Sequence, residues 1–360
     1  MSKHKYEPDY AVAPGATLKE AIEERGMSQQ LLAANLGMAE KTISQIVNGI
    51  APITCATAEK LELVLGIPAS YWNHRELAYR QSLARASAIE QLKADTAWLK
   101  EVPVRELRQR RLIDGDSEKE CLVREVLQFF GVGSVDAWRE VWGNVAVQFR
   151  GAKAQEKKPG VVAAWLRIGE MQAAGIQTPP FDSDEFRRAL QDVRRMTSLH
   201  IKDWRIRMQE RCAAAGVAAV LTPEFSGAAV SGATRWIGGK AIIQLSLKFK
   251  TNDQIWFSFF HEAGHILLHG QRARFIEFGP ANDTEEERQA NEFAQDILIP
   301  SEMASRLPQL RTRRQVEEFA DQIGIDAGIV AGRLLREKYF HPSEVHAMGL
   351  RRKFAWSKNT

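Results

Sequence analysis

The sequence predicts a mainly α chain with a small α+β domain, and three observations predict it. Short apolar-periodic runs punctuated by Gly26, Gly37, Gly49 and Gly66 read as a compact helical bundle at the N-terminal end. Longer helix-period runs fill the middle. Strand-like runs between 217 and 247 then lead into an apolar-striped helix bearing His261-Glu262-Ala263-Gly264-His265.

The first bundle runs from Thr17 to about Leu65. Ser28 is placed to cap a helix Gln29 to Leu36, Gly37 closes it, and a second short helix from Ala39 to Val47 ends at Asn48-Gly49. Two helices joined by a short turn make a helix-turn-helix, whose second helix offers its outer face to the major groove. Leu31, Leu32, Leu36, Ile43, Ile46 and Val47 are its expected core. A plain packing hairpin or a protein-binding bundle is the alternative, but polar residues cluster on the second helix, which favours DNA. Residues 26–72, GMSQQLLAANLGMAEKTISQIVNGIAPITCATAEKLELVLGIPASYW, resemble the XRE-type helix-turn-helix family and in particular HigA antitoxins. That resemblance implies DNA contacts by Gln29, Lys41, Thr42, Ser44 and Gln45, with Glu40 exposed on the same helix. Gln45 and Thr42 suit base edges and Lys41 suits a phosphate. Residues 1–75 carry Lys3, Lys5, Lys19, Arg25, Lys41, Lys60 and Arg75 against Glu7, Asp9, Glu20, Glu23, Glu24, Glu40, Glu59 and Glu62, so this part is not basic. Weak nonspecific affinity is expected, with a homodimer needed for useful binding to a double-stranded operator.

The middle reads as helices Arg75 to Lys100, Ser117 to Phe130, Ser134 to Trp142 and Gly160 to Ala174, with breaks at Pro103, Gly131-Val132-Gly133 and Thr178-Pro179-Pro180. Gly151 to Gly160 reads as a solvated loop. Beyond it come one helix from Phe186 to Ala215 and strands Val217 to Leu221, Ala228 to Ile237 and Ala241 to Leu247. The last strand reads equally as an internal strand or as an edge that pairs with an extended substrate. Helices Thr312 to Ile323 and Asp326 to Lys338 close the domain, and the basic stretch beyond Phe340 reads as loose. The expected domains are 1–75 (helix-turn-helix), 76–185 (helical linker), 186–340 (the small α+β domain) and 341–360 (basic tail).

The chemistry sits in the HExxH run. Residues four apart on a helix share a face about 6 Å apart, so both imidazoles can reach one ion while Glu262 faces a water beside it. Trp256, Phe259, Phe260, Ala263, Ile266 and Leu267 recur at helical spacing and place the run on a buried helix. A catalytic zinc wants a third protein ligand and an open position. Thr284 to Ala294 offers it: Thr284 and Glu287 make a capping-box start, Glu287 is the expected third ligand, and Asn291 supports it from the same face. Glu285 and Glu286 are the alternatives, as solvated first-turn carboxylates. His269 continues the four-residue series but lies roughly 12 Å from His261 along a straight helix, so it is expected beside a ligand rather than as one.

FFHEAGHILLHG at 259–270 and ERQANEFAQDILIP at 287–300, with the strand-rich stretch 231–257, resemble the ImmA/IrrE family of metallopeptidase-like domains. The resemblance implies a small gluzincin-like α/β fold holding Zn2+, and a peptidase scaffold in which some members cleave a partner repressor. Glu262 is then the expected general base and acid. His200, His269 and His341 are candidates for oxyanion stabilisation by residue type alone.

The 360 residues suit two or three domains, and a hydrophobic content of 44% fits globular material. Cys55, Cys121 and Cys212 are odd in number and widely spaced, which argues against a disulfide framework or thiolate zinc site. The start Met-Ser-Lys-His-Lys-Tyr-Glu-Pro has no apolar signal core and no 18-residue apolar run occurs, so a cytoplasmic chain without a membrane partner is expected. The net charge of +4 is mildly basic. Arg105, Arg108, Arg110 and Arg111, and Arg351, Arg352, Lys353 and Lys358, read as solvated faces or nucleic-acid contacts. Together these features predict a DNA-binding regulator with a zinc endopeptidase domain that cuts a repressor-like partner in a stress, phage or toxin-antitoxin circuit. The competing expectation is a non-enzymatic HigA-like repressor or antitoxin whose metal domain senses a ligand or binds a partner. A purely structural zinc is the third.

Overall fold

The computed structural model describes residues 12–114, 118–143, 159–199, 201–227, 230–247, 251–270, 275–277 and 284–354. The chain divides into two units, Met1–Thr96 with Glu118–Cys121, and Ala97–Ser117 with Leu122–Thr360.

The first unit holds α1 (Pro14–Glu23), α2 (Gln29–Leu36), α3 (Glu40–Val47), α4 (Cys55–Leu65) and α5 (Ala69–Ala94). Ser28 Oγ accepts from the Leu31 amide and Gly37 ends α2 at φ 62°, a backbone conformation that favours glycine. Leu18, Ile22, Leu32, Leu36, Ile43, Ile46, Ala58, Leu61 and Trp72 form one core. Leu31 does not join it. It is 50% exposed because it follows the cap on the outer side of α2, while Leu32, Ala33 and Leu36 take the inner stripe. Gly15 lies so close to α3 that a Cβ there would stand 2.0 Å from the Ile46 carbonyl oxygen, which explains a glycine in the first turn of α1.

The second unit contains α6 (Val104–Gln109), α7 (Lys119–Phe130) from Leu122 on, α8 (Val135–Trp138), α9 (Pro159–Ala174), α10 (Ser183–Arg195) and α11 (Ile201–Ala214) before the sheet. The single helix expected over 186–215 is thus two. A 3-10 turn at Met196–Ser198 and extended backbone at Leu199 separate them. The strands are β1 (Val217–Leu221), β2 (Gly232–Ile237), β3 (Lys240–Leu245) and β4 (Phe275–Glu277), in the order β1-β3-β2-β4. β1 runs parallel to β3, and β2 is antiparallel to both β3 and β4. Gly238 and Gly239, at φ 58° and 84°, supply the two left-handed residues a two-residue hairpin between β2 and β3 requires. β3 is therefore internal, flanked on both sides, and cannot be the substrate-pairing edge.

The sheet is covered on both faces, and the strand period of two sorts its residues. Val217, Ala219, Leu221, Ala241, Ile243 and Leu245 pack into the main core, whereas Ala218, Val220 and Ile242 face Ala173 of α9. α9 is pinned there by Trp165 Nε1 donating to the Thr222 carbonyl (3.1 Å), Gln244 Nε2 to the Trp165 carbonyl (2.7 Å) and Arg235 Nη2 to the Leu166 carbonyl (2.9 Å). On the other face lies α12 (Asn252–His269), whose Trp256, Phe259, Phe260 and Ala263 are fully buried. α13 (Glu285–Leu298), α14 (Ser301–Ala304), α15 (Arg313–Ile323), α16 (Ala327–Arg336) and α17 (Pro342–Met348) complete the unit.

The stretch beyond Phe340 is not loose through residue 354. α17 is followed by Arg351, whose Nε donates to Asp253 Oδ2 at 3.0 Å, and by Arg352, which pairs with Asp326, while Phe354 packs on Trp204. Arg351 thus holds the start of α12 and Arg352 the N-cap residue of α16. Arg110 likewise donates to the Pro223 and Glu224 carbonyls and lies 3.9 Å over the Phe225 ring, so it is not part of a solvated face. Lys358, His200 and residues 151–158 of the expected loop fall outside the described residues. Among the described residues no helix is long and apolar enough to cross a membrane.

Candidate metal centre

His261 and His265 stand one turn apart on α12, and Glu287 opposes them from the first turn of α13. Their ligating atoms all lie within 4.8 Å of one another. The two Nε2 atoms are 3.0 Å apart, Glu287 Oε2 is 3.2 Å from His261 Nε2, and Oε1 is 3.5 Å from His265 Nε2. A tetrahedral zinc with bonds of about 2.0–2.1 Å would set its ligand atoms about 3.3–3.4 Å apart, so the triangle fits that ion.

Electrostatics agree with the spacing. Burial pushes the His265 imidazole down, outweighing the neighbouring Glu287 carboxylate, which favours protonation. Burial alone would push the Glu287 carboxyl up, but the two imidazoles reverse this and hold it down at about 2. A neutral imidazole beside an ionised carboxylate is the donor set a divalent cation requires.

The helices can close on the site because Gly264, between the histidines, has no side chain. A Cβ there would lie 3.1 Å from Phe293 Cδ1 and 3.3 Å from Ala290 Cα of α13. Thr284 caps α13 by accepting from the Glu287 amide at 3.3 Å. Only half of the expected capping box forms, since the Glu287 carboxylate turns to the imidazoles instead of back to the cap.

Glu262 lies against β2. Thr234 Oγ1 lies 2.6 Å from Glu262 Oε2 and donates to it, and a Cβ on Gly232 would fall 2.5 Å from Oε1. Thr234 and Gly232 are two apart on β2 and share a face. Motif reading missed both, because a strand some thirty residues away carries no spacing signal for this helix. Asn291 Oδ1 lies 3.2 Å from His261 Nδ1, and His269 Nδ1 lies 3.1 Å from His265 Nδ1. His269 Nε2 meets Gln289 Oε1 at 3.0 Å, a partner that motif reading also passed over. His341 caps α17 and hydrogen-bonds to Ser343.

In the first unit Glu40 and Lys41 are exposed, and Gln29, Thr42, Ser44 and Gln45 are half-buried along α2 and α3. Asn48 Nδ2 donates to the Ser44 carbonyl at 2.8 Å and closes α3.

Residues 18–72 match the family model described as Helix-turn-helix, and residues 218–335 match the IrrE N-terminal-like domain. No curated protein matches the chain. A solved structure, an addiction module antidote protein of a HigA family from Coxiella burnetii, is 26% identical over 24% of this chain and 94% of its own, with a TM-score of 0.22. The chain thus combines an XRE-type helix-turn-helix DNA-binding domain with an IrrE-like, metallopeptidase-like domain.

Proposed function

From a helix-turn-helix at one end and an IrrE-like domain at the other, we infer a DNA-binding regulator that hydrolyses a peptide bond in a protein partner, with zinc held by His261, His265 and Glu287. The observation that carries this reading is the convergence of three electron-pair donors, with the Glu262 carboxylate on the same helix. Division into a DNA-binding part at 1–75 and a peptidase part at 186–340 belongs to the same proposal.

Zinc in that site supplies a Lewis acid that lowers the pKa of a water and polarises a peptide carbonyl. Glu262 takes the proton from the attacking water and delivers it to the leaving amine as the carbon–nitrogen bond breaks. Thr234 orients that carboxylate through its 2.6 Å hydrogen bond. Asn291 accepts from His261 Nδ1–H and so leaves Nε2 as the ligating atom. On the DNA side, Thr42, Ser44 and Gln45 read base edges while Lys41 and Gln29 contact the backbone of a double-stranded operator, with a homodimer covering two half-sites. A repressor or a toxin is the class of protein partner.

A second reading is favoured by one observation: Glu262 is 0% exposed and both histidines are 1% exposed. Such a closed centre suits a non-enzymatic HigA-like repressor or antitoxin in which the metal domain senses a ligand or binds a partner. Sequencing of new protein N-termini in cells expressing the chain or its Glu262→Gln variant separates the two. Peptidase action predicts at least one new N-terminus with the parent and none with the variant, at equal zinc content and equal operator binding. Identical N-termini in both would rule out the peptidase reading and leave the two without turnover, the sensing or partner-binding metal domain and the structural zinc.

A further inference from the structure

His265 can offer Nε2 to a metal only when its ring hydrogen sits on Nδ1, and four residues outside the donor triangle arrange this. The inference rests on the metal-centre reading above. At the outer end, Arg288 grips Glu285 through Nε to Oε2 at 2.9 Å and Nη2 to Oε1 at 2.5 Å. A carboxylate so held can only accept, and Glu285 Oε1 accepts from Gln289 Nε2 at 2.8 Å. That fixes which end of the amide faces inward. Gln289 Oε1 must therefore accept, and its partner at 3.0 Å is His269 Nε2, which carries the hydrogen. A neutral imidazole with hydrogen on Nε2 has a lone pair on Nδ1. His269 Nδ1 in turn accepts from His265 Nδ1–H at 3.1 Å. His265 Nε2 is left with its lone pair aimed at the site, 3.0 Å from His261 Nε2.

We propose that Glu285, Gln289 and His269 are positioning residues that lock His265 in its metal-ligating tautomer, through a relay whose direction is set by a carboxylate at the protein surface. The other histidine needs no relay, because Asn291 Oδ1 reaches His261 Nδ1 directly at 3.2 Å. Helix α13 therefore supplies the carboxylate ligand and the groups that orient both imidazoles, at Glu287, Gln289 and Asn291. Glu285 and Arg288 side chains are 58% and 55% exposed, so the centre is tied to a surface position that touches no ligand atom.

The full-length protein carrying His269→Phe or Gln289→Leu tests the relay, with zinc affinity measured by competition with a chelator. Both variants should bind zinc about 10–100-fold more weakly, the range expected when an outer hydrogen-bond partner of a ligating histidine is lost. Because bound zinc would itself fix the hydrogen on Nδ1, long-range 1H–15N spectra are taken of metal-free protein: the parent should keep the His265 hydrogen on Nδ1, and the variants should show a mixture. Zinc affinities within twofold of the parent in both variants, or a parent spectrum with the hydrogen on Nε2, would overturn the proposal. Failure to take up zinc would thus sink the metal centre, while the His265 resonance would still decide the relay.

Discussion

Between α12 and α13 the polar side chains that matter are buried and hold one another, whereas on α2 and α3 they line the outside of an apolar core. His261, His265 and Glu262 are enclosed, and their positions follow from partners on three elements: Asn291 and Gln289 of α13, His269 of α12 itself, and Thr234 of β2. Lys41 and Gln45 stand on a helix whose inner face, Ile43, Ile46 and Val47, is fixed by packing. A buried polar constellation is specified by satisfaction of every member, because an unpaired group costs free energy there. An exposed reading face is specified by its scaffold, and the side chains on it can vary with the DNA sequence. Substitutions should therefore spread their effects in the metal unit and stay separable in the helix-turn-helix unit.

The largest effect expected is on the scaffold side. Trp72→Ala removes a fully buried ring from the first core and should cost about 3–5 kcal/mol in denaturant unfolding of that unit. Operator binding should be lost while zinc content stays at the parental level. A matching loss of zinc would break the contrast.

Gly232→Ala comes next. The added methyl would sit 2.5 Å from Glu262 Oε1, so the carboxylate or β2 must move, at about 1–3 kcal/mol for overpacking. The reading sharpens if unfolding and any turnover both suffer, and it weakens if neither changes in thermal melts and cleavage assays. Thr234→Val keeps the shape but removes the donor to Glu262 Oε2, which should cost about 1–3 kcal/mol for a buried acceptor left unmatched. Here a variant as stable as the parent would show that the carboxylate does not depend on this partner.

How much of this was legible in the chain differs between the same two regions. The helix-turn-helix could be read almost helix by helix, since Ser28, Gly37 and the spacing of Leu32, Leu36, Ile43 and Ile46 are local signals. In the second unit the four-residue spacing of His261 and His265 was equally local. Glu287 is proposed from the chemistry zinc demands and a cap signal at Thr284, not from distance along the chain, and it lies beside the two imidazoles. Thr234, Gly232 and Gln289 were illegible because their roles exist only once β2 and α13 are packed against α12. The roles of Arg351 and Arg352 were hidden for the same reason: a basic run looks solvated until Asp253 and Asp326 are beside it. The break at Leu199 escaped notice since no glycine or proline marks it.

The smallest effect belongs to the exposed face. Lys41→Ala should leave folding untouched, weaken operator binding across sequences alike, and lower the slope of log K against log salt by about 1. A change confined to one base position would assign Lys41 to a base edge instead.

Zinc K-edge absorption spectroscopy on protein grown with ample zinc, beside its Glu287→Gln variant, tests the central claim most directly. One tightly bound zinc per chain is predicted, with two imidazole nitrogens and a carboxylate oxygen at about 2.0–2.2 Å, and the variant should lose the metal or the oxygen shell. Metal-free parent protein, or a variant with the same zinc content and the same ligand shell, would contradict it.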